Sequence, residues 1–392
     1  MIAVTGTGIA SPLGAGVADF LARLRSGGSA VRRLDPELGM EVGAKFEIPP
    51  DPQLERSQQF LMDPVTQYAV VAAREALAMA DLSSLDPSSI GAIMGIGIMG
   101  IESADVSYRE FFLHDRRPSP FLIAKVMPSA PASGVTMALG IRGPSYCVTS
   151  ACASSSHAII NAALWLQAGL ADAVVVGGAE APFAPAFLQC WRAMRVIARD
   201  TCRPFSLNRS GMVLGEGAAA LVLERLEDAR ARGANILAVL RGFGANADAG
   251  HIVQPDSDSV ARVMRLALRQ ADLSPEDIGH INAHGTGTPI NDRTEAQAIT
   301  SVFGSSTPYV SATKAATGHT LGAAGAVEAV ISVSGLAQGW IPPILNYLGP
   351  DPECAPLNLS TAPAAISFRH SAVLSNSFAF GGLNAVLVFS SE

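Results

Sequence analysis

The stretch Val148-Thr-Ser-Ala-Cys152-Ala-Ser-Ser-Ser-His157 sets the architecture expected of this chain. A β-branched run from Tyr146 to Thr149 ends in small residues, one thiol sits at the turn, and an Ala-rich apolar stretch follows, Ala158-Ile-Ile-Asn-Ala-Ala-Leu-Trp-Leu166. The pattern predicts a buried strand, a tight elbow and a helix that starts at or near Cys152. A thiol there faces unpaired N–H groups and the positive end of a helix, which favour thiolate over thiol. Ala151, Ala153 and Ser154 are small enough to let a substrate reach the sulfur. The stretch alone also fits a small buried hydrophobe, so the choice rests on the remainder of the chain.

The elbow has an echo. Tyr146-Cys-Val-Thr-Ser-Ala-Cys-Ala-Ser-Ser155 is matched by Tyr309-Val-Ser-Ala-Thr-Lys-Ala-Ala-Thr-Gly318, and each precedes an Ala-rich helix. Ala73 to Gly95 is matched by Met264 to Asn282, with Ala-Asp-Leu-Ser recurring at 80–83 and 271–274. The opening strand Ile2–Gly8 is matched by Leu237–Gly244. The correspondences keep one order, so the chain is read as a duplicated βα unit with sheets covered by helices. The halves are assigned as 1–236 and 237–392, with the site where the copies meet. In this reading the counterpart of Cys152 is the Lys314 loop.

Composition agrees with a large buried core. The 392 residues are 49% hydrophobic and 16% charged, with a net charge of -7. That balance argues against nonspecific nucleic-acid binding. Five cysteines, an odd number without a CxxC pair, predict no disulfide framework and a cytoplasmic setting. The opening Met1-Ile-Ala-Val-Thr-Gly reads directly as a strand without signal-type features, and no apolar run is expected to span a membrane. Gly6, Gly8 and Gly14 do not make a GxGxxG spacing, which argues against a nucleotide site.

Two further loops carry chemistry. His284 lies in Asn282-Ala-His-Gly-Thr-Gly-Thr-Pro289, and His319 lies in Thr313-Lys-Ala-Ala-Thr-Gly-His-Thr-Leu-Gly-Ala-Ala-Gly325 ahead of a helix containing Glu328. The last element is two apolar strands joined by a Gly-Gly turn that follows Phe380. Either histidine alone reads as a structural residue. Metal ligation by Cys152, His284 and His319 stays open, although they lack a recognisable ligand spacing. One thiol with two imidazoles suits acyl transfer through a thioester, because imidazole N–H groups stabilise charge on a thioester oxygen.

At Thr149-Ser-Ala-Cys-Ala-Ser-Ser155, Asn282–Pro289, Thr313–Gly325 and Asn376-Ser-Phe-Ala-Phe-Gly-Gly-Leu-Asn384 the chain resembles the β-ketoacyl-acyl-carrier-protein synthases, closest to the synthase I/II group and type II polyketide ketosynthases. The resemblance implies an α/β, thiolase-like duplicated βαβαβ fold in five layers, α-β-α-β-α. It implies that Cys152 carries an acyl chain, with an oxyanion hole from the N–H groups of Cys152 and Phe380. His284 and His319 would hold the thioester carbonyl of malonyl-carrier protein during loss of CO2. Lys314 would support the site electrostatically with Glu328 behind it, Thr286 and Thr288 would bind pantetheine, and Phe380 would gate. No metal or other cofactor is implied, because substrates ride on the phosphopantetheine of an acyl-carrier protein. A dimer is implied, either a homodimer or a heterodimer with a chain-length-factor-like homologue, formed through the sheet edge. The acyl pocket is expected between Gly97 and Val106 and near Val135.

Several departures qualify the resemblance. Gly287 stands where the family often has Ser, and Ala379 where it often has Gly, which restricts the gate. Gln58-Gln-Phe-Leu-Met62 replaces a basic cluster expected to meet an acidic carrier protein. The run Arg192, Arg195, Arg199, Arg203 and Arg209 is an alternative carrier contact or a solvated face. The missing basic patch, together with the short N-terminus, favours a dedicated secondary-metabolite carrier protein over housekeeping fatty-acid elongation. A thiolase would need a second cysteine near the Gly-Gly turn, and a synthase III would have Asn at His319. The alternative from another class is a chain-length-factor-like subunit that mainly shapes a partner's pocket.

Overall fold

The computed structural model describes residues 1–304, 308–354, 356–362, 366–367 and 372–392. Its core strands fall into two sets with one topology. The first set is β1 (Ile2–Ser11), β2 (Ile90–Ile96), β3 (Ser145–Val148), β4 (Ala173–Glu180) and β5 (Gly217–Arg225). The second is β6 (Ala238–Ala247), β7 (Ile278–Asn282), β8 (Tyr309–Ser311), β9 (Ala372–Phe378) and β10 (Leu383–Ser390). The spatial order is β3-β2-β4-β5-β1 in one set and β8-β7-β9-β10-β6 in the other. In each set the outer strands pair in parallel and the inner ones antiparallel. The antiparallel pairs Ile2↔Leu240, Ala3↔Val239 and Val4↔Ala238 join the sets, and with the two-residue strands Gly14–Ala15 and Asn358–Leu359 these ten make one continuous 12-stranded sheet among the described residues.

Helices cover both faces. Pro64–Ala80 packs on β1, β5 and β4, and Ser257–Ala271 packs on β6 and β10. Between the two sets lie Ser154–Gln167 and Ala324–Gln338, each touching strands of both. The result is the expected five layers. Strands covered on both faces become continuous apolar runs, and all residues of β1, β2 and β4 are buried.

Local signals of the repeat are visible in the backbone. Asp63 caps Pro64–Ala80 by accepting the N–H of Val65, and Pro64 occupies the first turn. That helix and Ser257–Ala271 both end at a left-handed Asp, Asp81 and Asp272. Short 3-10 turns at Pro87–Ser89 and Pro275–Asp277 then lead into β2 and β7. Gly6 and Gly8 serve packing: an added Cβ would lie 2.2 Å from the Ala76 carbonyl oxygen and 2.0 Å from that of Ala72.

One long apolar stretch is a core element. Leu321–Gln338 is long and apolar enough to cross a membrane, with 18 residues at a mean hydropathy of 1.3. Its window is 83% buried inside the protein, because it contains the central helix wedged between the sheets.

Candidate active site

The elbow at Cys152 forms as the sequence predicts. β3 leads to a 3-10 turn at Ala151–Ala153, and helix Ser154–Gln167 follows directly. Ala151 has a φ of 49°, a left-handed conformation that costs a non-glycine residue about 1–3 kcal/mol. Ser154 holds the turn, since its Oγ accepts the Ser150 N–H at 2.8 Å. Cys152 lies near the bottom of a cleft of about 350 Å³.

The second elbow corrects the repeat. Leu321–Ala323 is the 3-10 turn that precedes helix Ala324–Gln338, and Leu321 is left-handed with a φ of 45°. The counterpart of Cys152 is therefore Gly322. Lys314 begins an extra helical turn, Lys314–Thr317, inserted between β8 and the elbow. The motif likeness around Thr313 and Lys314 placed the match one turn too early.

His284 and His319 converge on the thiol. The ligand atoms of Cys152, His284 and His319 all lie within 4.8 Å of one another. His319 Nε2 is 3.1 Å from Cys152 Sγ. The Leu321 N–H donates to His319 Nδ1 at 3.3 Å, which leaves the proton on Nε2, pointing at sulfur. The two imidazoles meet edge to face at 5.4 Å between centroids.

Lys314 sets the other imidazole. Its buried ammonium donates to the His284 carbonyl oxygen and to Glu328, and it lies 3.3 Å from His284 Nδ1. Nδ1 therefore accepts, and the Nε2–H of His284 is free to donate into the cleft. Burial, then Lys314 and His319, hold His284 well below the usual histidine range; burial and Lys314 do the same to His319. Both rings are neutral donors. The resident ammonium also opposes a further cation at this trio, so the geometry favours acyl chemistry over metal ligation.

The thiol departs from expectation. Burial pushes Cys152 up to about 12, with Glu180 and Glu328 adding to the rise. Lys314 and a hydrogen bond from the Phe380 N–H pull the other way and are outweighed. Burial and the helix terminus therefore act on this sulfur in opposite directions.

The remaining assigned residues fall as follows. Thr286 and Thr288 line the cleft and bond each other through their hydroxyls at 2.9 Å. Phe380 lines it too, with its ring 6.1 Å from that of Trp191. Glu328 contacts Lys314, and burial pushes it up to about 7 against that pull. Cys354 packs in a separate core cluster. The expected acyl-pocket residues do not line this cleft: Val135 is buried in the outer core, Val106 is exposed, and only Ile98 packs against the cluster containing Cys152. The arginine run is no single face either. Arg192 bonds the Gly39 carbonyl, Arg203 pairs with Asp200, and Arg209 is buried against Asp351, Glu353 and Asp292.

Three buried carboxylates were missed. Glu295 accepts the N–H groups of His284 and Gly285, both at 2.8 Å, and burial pushes it up to about 7. Asp292, one turn earlier on helix Pro289–Phe303, accepts the N–H of Gly287 at 3.2 Å. Glu180 accepts from Gly97, Ile98 and Gly322, so it ties the end of β2 to the second elbow. The signal for the first two was present: acids at i and i+3 of a helix that directly follows a glycine-rich loop.

A duplicated, five-layer thiolase-like fold with one thiol and two neutral imidazoles at the meeting of its halves defines a condensing enzyme of the acyltransferase type. Residues 1–229 match the Beta-ketoacyl synthase, N-terminal domain, and residues 237–348 match the Beta-ketoacyl synthase, C-terminal domain. The chain belongs to the β-ketoacyl synthase family. It is 43% identical to Nodulation protein E of Rhizobium sp. (strain N33), over 99% of this chain and 98% of that relative. It is 36% identical to 3-oxoacyl-[acyl-carrier-protein] synthase 2 of Staphylococcus aureus (strain COL), over 99% and 97%. Among solved structures it superposes on the ishigamide ketosynthase/chain length factor with a TM-score of 0.94 at 33% identity, covering 100% of this chain and 99% of that one.

Proposed function

We propose that this protein condenses malonyl-carrier protein with an acyl chain held on Cys152, in fatty-acid or type II polyketide or polyene biosynthesis. The observation that carries the reading is the Nε2–H of His319 aimed at Sγ from 3.1 Å, with a second neutral imidazole donor beside it. In the first step Cys152 sulfur attacks the thioester carbonyl of an acyl-carrier protein. The thiol proton leaves with the departing pantetheine thiolate, and acyl-Cys152 forms. Because burial raises the thiol, the N–H donors of His319 and Phe380 must stabilise developing charge on sulfur as the substrate arrives. The N–H groups of Cys152 and Phe380 serve as the oxyanion hole.

In the second step His284 and His319 donate to the malonyl thioester oxygen. The C–COO⁻ bond breaks, CO2 leaves, and its electron pair becomes the enolate those donors stabilise. The carbanion attacks acyl-Cys152, a carbon–carbon bond forms, and the thiolate leaves and takes up one proton. Lys314 and Glu328 hold His284 in the donating tautomer, Thr286 and Thr288 bind the pantetheine amides, and Phe380 gates the acyl chain. No metal or further cofactor enters these steps. The thiol-bearing half is 1–236, and the half bearing both imidazoles is 237–392.

We assign a dimer, with itself or with a chain-length-factor-like homologue, and a cytoplasmic location. The unpaired outer edge of β3, where Ser145 and Tyr146 are exposed, supports the dimer among the described residues. A mainly structural subunit is not favoured, since the thiol, both imidazoles and the lysine are all present and in reach of one another. The test is mass spectrometry after incubation with acyl-carrier protein. A gain of one acyl group that Cys152→Ala abolishes supports the scheme; absence of acylation with every donor and chain length overturns it.

A further inference from the structure

The cleft that leads to Cys152 is unusual in charge. The chain carries 34 Asp and Glu residues against 27 Lys and Arg. Yet among the described residues no carboxylate lines the cleft, and its one guanidinium is Arg195. Arg195 is exposed, and no ion pair or side-chain hydrogen bond engages it among the described residues. Arg192 bonds the Gly39 carbonyl and Arg203 pairs with Asp200; Arg199, like Arg195, has no ion pair or side-chain hydrogen bond among the described residues, but it lines a separate depression with Arg32 and Arg33 and not this cleft. The backbone singles out the same residue. Arg195 has a φ of 58°, so a non-glycine residue occupies a left-handed turn at the end of helix Pro185–Ala193. A conformation that costs free energy, at a residue lining the way to the nucleophile, calls for a compensating role. The same cleft is lined by polar but uncharged groups, Gln254 and Asn291, and by the imidazole of His251.

We infer that Arg195 binds the phosphate of a phosphorylated pantetheine arm at the cleft entrance while the arm's thioester reaches Cys152. The inference rests on the proposed acyl transfer. It adds the anchor for the arm's charged end to the hydroxyls of Thr286 and Thr288, which meet its neutral part. A guanidinium suits this ligand because its planar fork matches phosphate oxygens, and a cleft without carboxylates does not oppose the approaching anion. Two sources share the chemistry, the carrier-borne arm and free coenzyme A; the commitment here is to the carrier-borne arm.

The test compares kcat/KM for acylation of Cys152 by four donors of one acyl chain: acyl-carrier protein, acyl-coenzyme A, acyl-pantetheine without phosphate, and the acyl N-acetylcysteamine thioester. In Arg195→Gln, efficiency should fall about tenfold with acyl-carrier protein and by less than twofold with the two unphosphorylated donors. Arg195→Lys should recover part of the loss, and raised salt should narrow the gap between wild type and Arg195→Gln. An equal loss with all four donors would mean that Arg195 only shapes the turn, and overturns the inference. A loss with acyl-coenzyme A but none with acyl-carrier protein would assign the site to the free cofactor and also overturns it. Failure of wild type with every donor would strike the acyl-transfer reading itself, whereas acylation by the unphosphorylated donors with no phosphate-dependent loss would strike only the inference about Arg195.

Discussion

The two elbows share a backbone and differ in what they present. Ala151-Cys152-Ala153 and Leu321-Gly322-Ala323 are both 3-10 turns with a left-handed first residue, and both open a buried central helix. One displays a thiol into the cleft. The other places Gly322 against the end of β2, where an added Cβ would lie 2.0 Å from the Gly97 nitrogen. The strain at Ala151 and Leu321 therefore does not belong to the thiol chemistry. It belongs to the geometry that turns each central helix in toward the junction of the halves, at about 1–3 kcal/mol per elbow. In the second copy the functional groups moved upstream, to His319 and to the inserted Lys314 turn, while the elbow itself became a packing contact.

Substitutions at the two middle positions should separate chemistry from packing most strongly. Cys152→Ala should lose acylation completely and keep the fold, since it removes one sulfur from a site that small residues already surround. Gly322→Ala should do the reverse. It forces a methyl group into backbone, which a close-packed interior resists at about 3 kcal/mol or more. Urea unfolding of both variants checks this, and a Gly322→Ala protein as stable as wild type would break the comparison.

His319→Ala comes next in size. It removes a donor that acts on sulfur and on the malonyl thioester, and loss of one such donor costs about 10²–10³ in rate. Condensation should drop by that factor in a malonyl-dependent assay. Acylation of Cys152 should fall less, because the Phe380 N–H still faces the sulfur. Normal condensation in this variant would contradict the assignment of two imidazole donors.

Much of this is legible in the sequence. The run to Thr149, the thiol and the Ala-rich stretch correctly predicted strand, elbow and helix, because a period change at small residues is a local signal. The repeat was legible at Ala-Asp-Leu-Ser, which marks matching helix ends with a left-handed Asp. The counterpart of Cys152 was misplaced because residue likeness around Lys314 outweighed backbone position, and a left-handed φ at Leu321 leaves little trace in composition. The pull toward thiolate expected at Cys152 is local, coming from a helix start, whereas the burial that opposes it comes from both halves. Glu180 could not be read at all, since its three partners lie at 97, 98 and 322.

Glu180 links the second elbow to the pH dependence of the fold. Burial pushes its carboxyl up to about 8, opposed by the N–H groups of Gly322, Gly97 and Ile98. The folded protein therefore holds this proton more tightly than the unfolded chain does, whose carboxyl titrates at the ordinary 4.5. The resulting stability is fully present below pH 4.5 and is lost as pH rises through about 8. Glu180→Gln, which keeps the shape and cannot ionise, should flatten the decline in urea midpoint between pH 5 and pH 8. An identical slope in wild type and variant would mean that other buried carboxyls, Glu295 and Glu328 among them, carry the dependence.

The smallest effect is expected at the hairpin that closes over the first elbow. Ala379 is buried, its N–H donates to the Leu383 carbonyl at 3.1 Å, and its own carbonyl accepts from Gly382 at 3.0 Å. The turn already contains Gly381 and Gly382, both left-handed, so Ala379 is the stiff residue beside Phe380. Ala379→Gly loosens it from the unfolded side, since glycine loses more backbone freedom on folding, at about 0.5–1 kcal/mol. The melting temperature should fall by about 1–2 °C. If the alanine restrains the gate, acylation by long acyl chains should speed up in the same variant while short chains react as before. A lower melting temperature without that chain-length dependence would show that Ala379 stiffens the hairpin without restraining Phe380, and the first elbow would then be gated from elsewhere in the cleft.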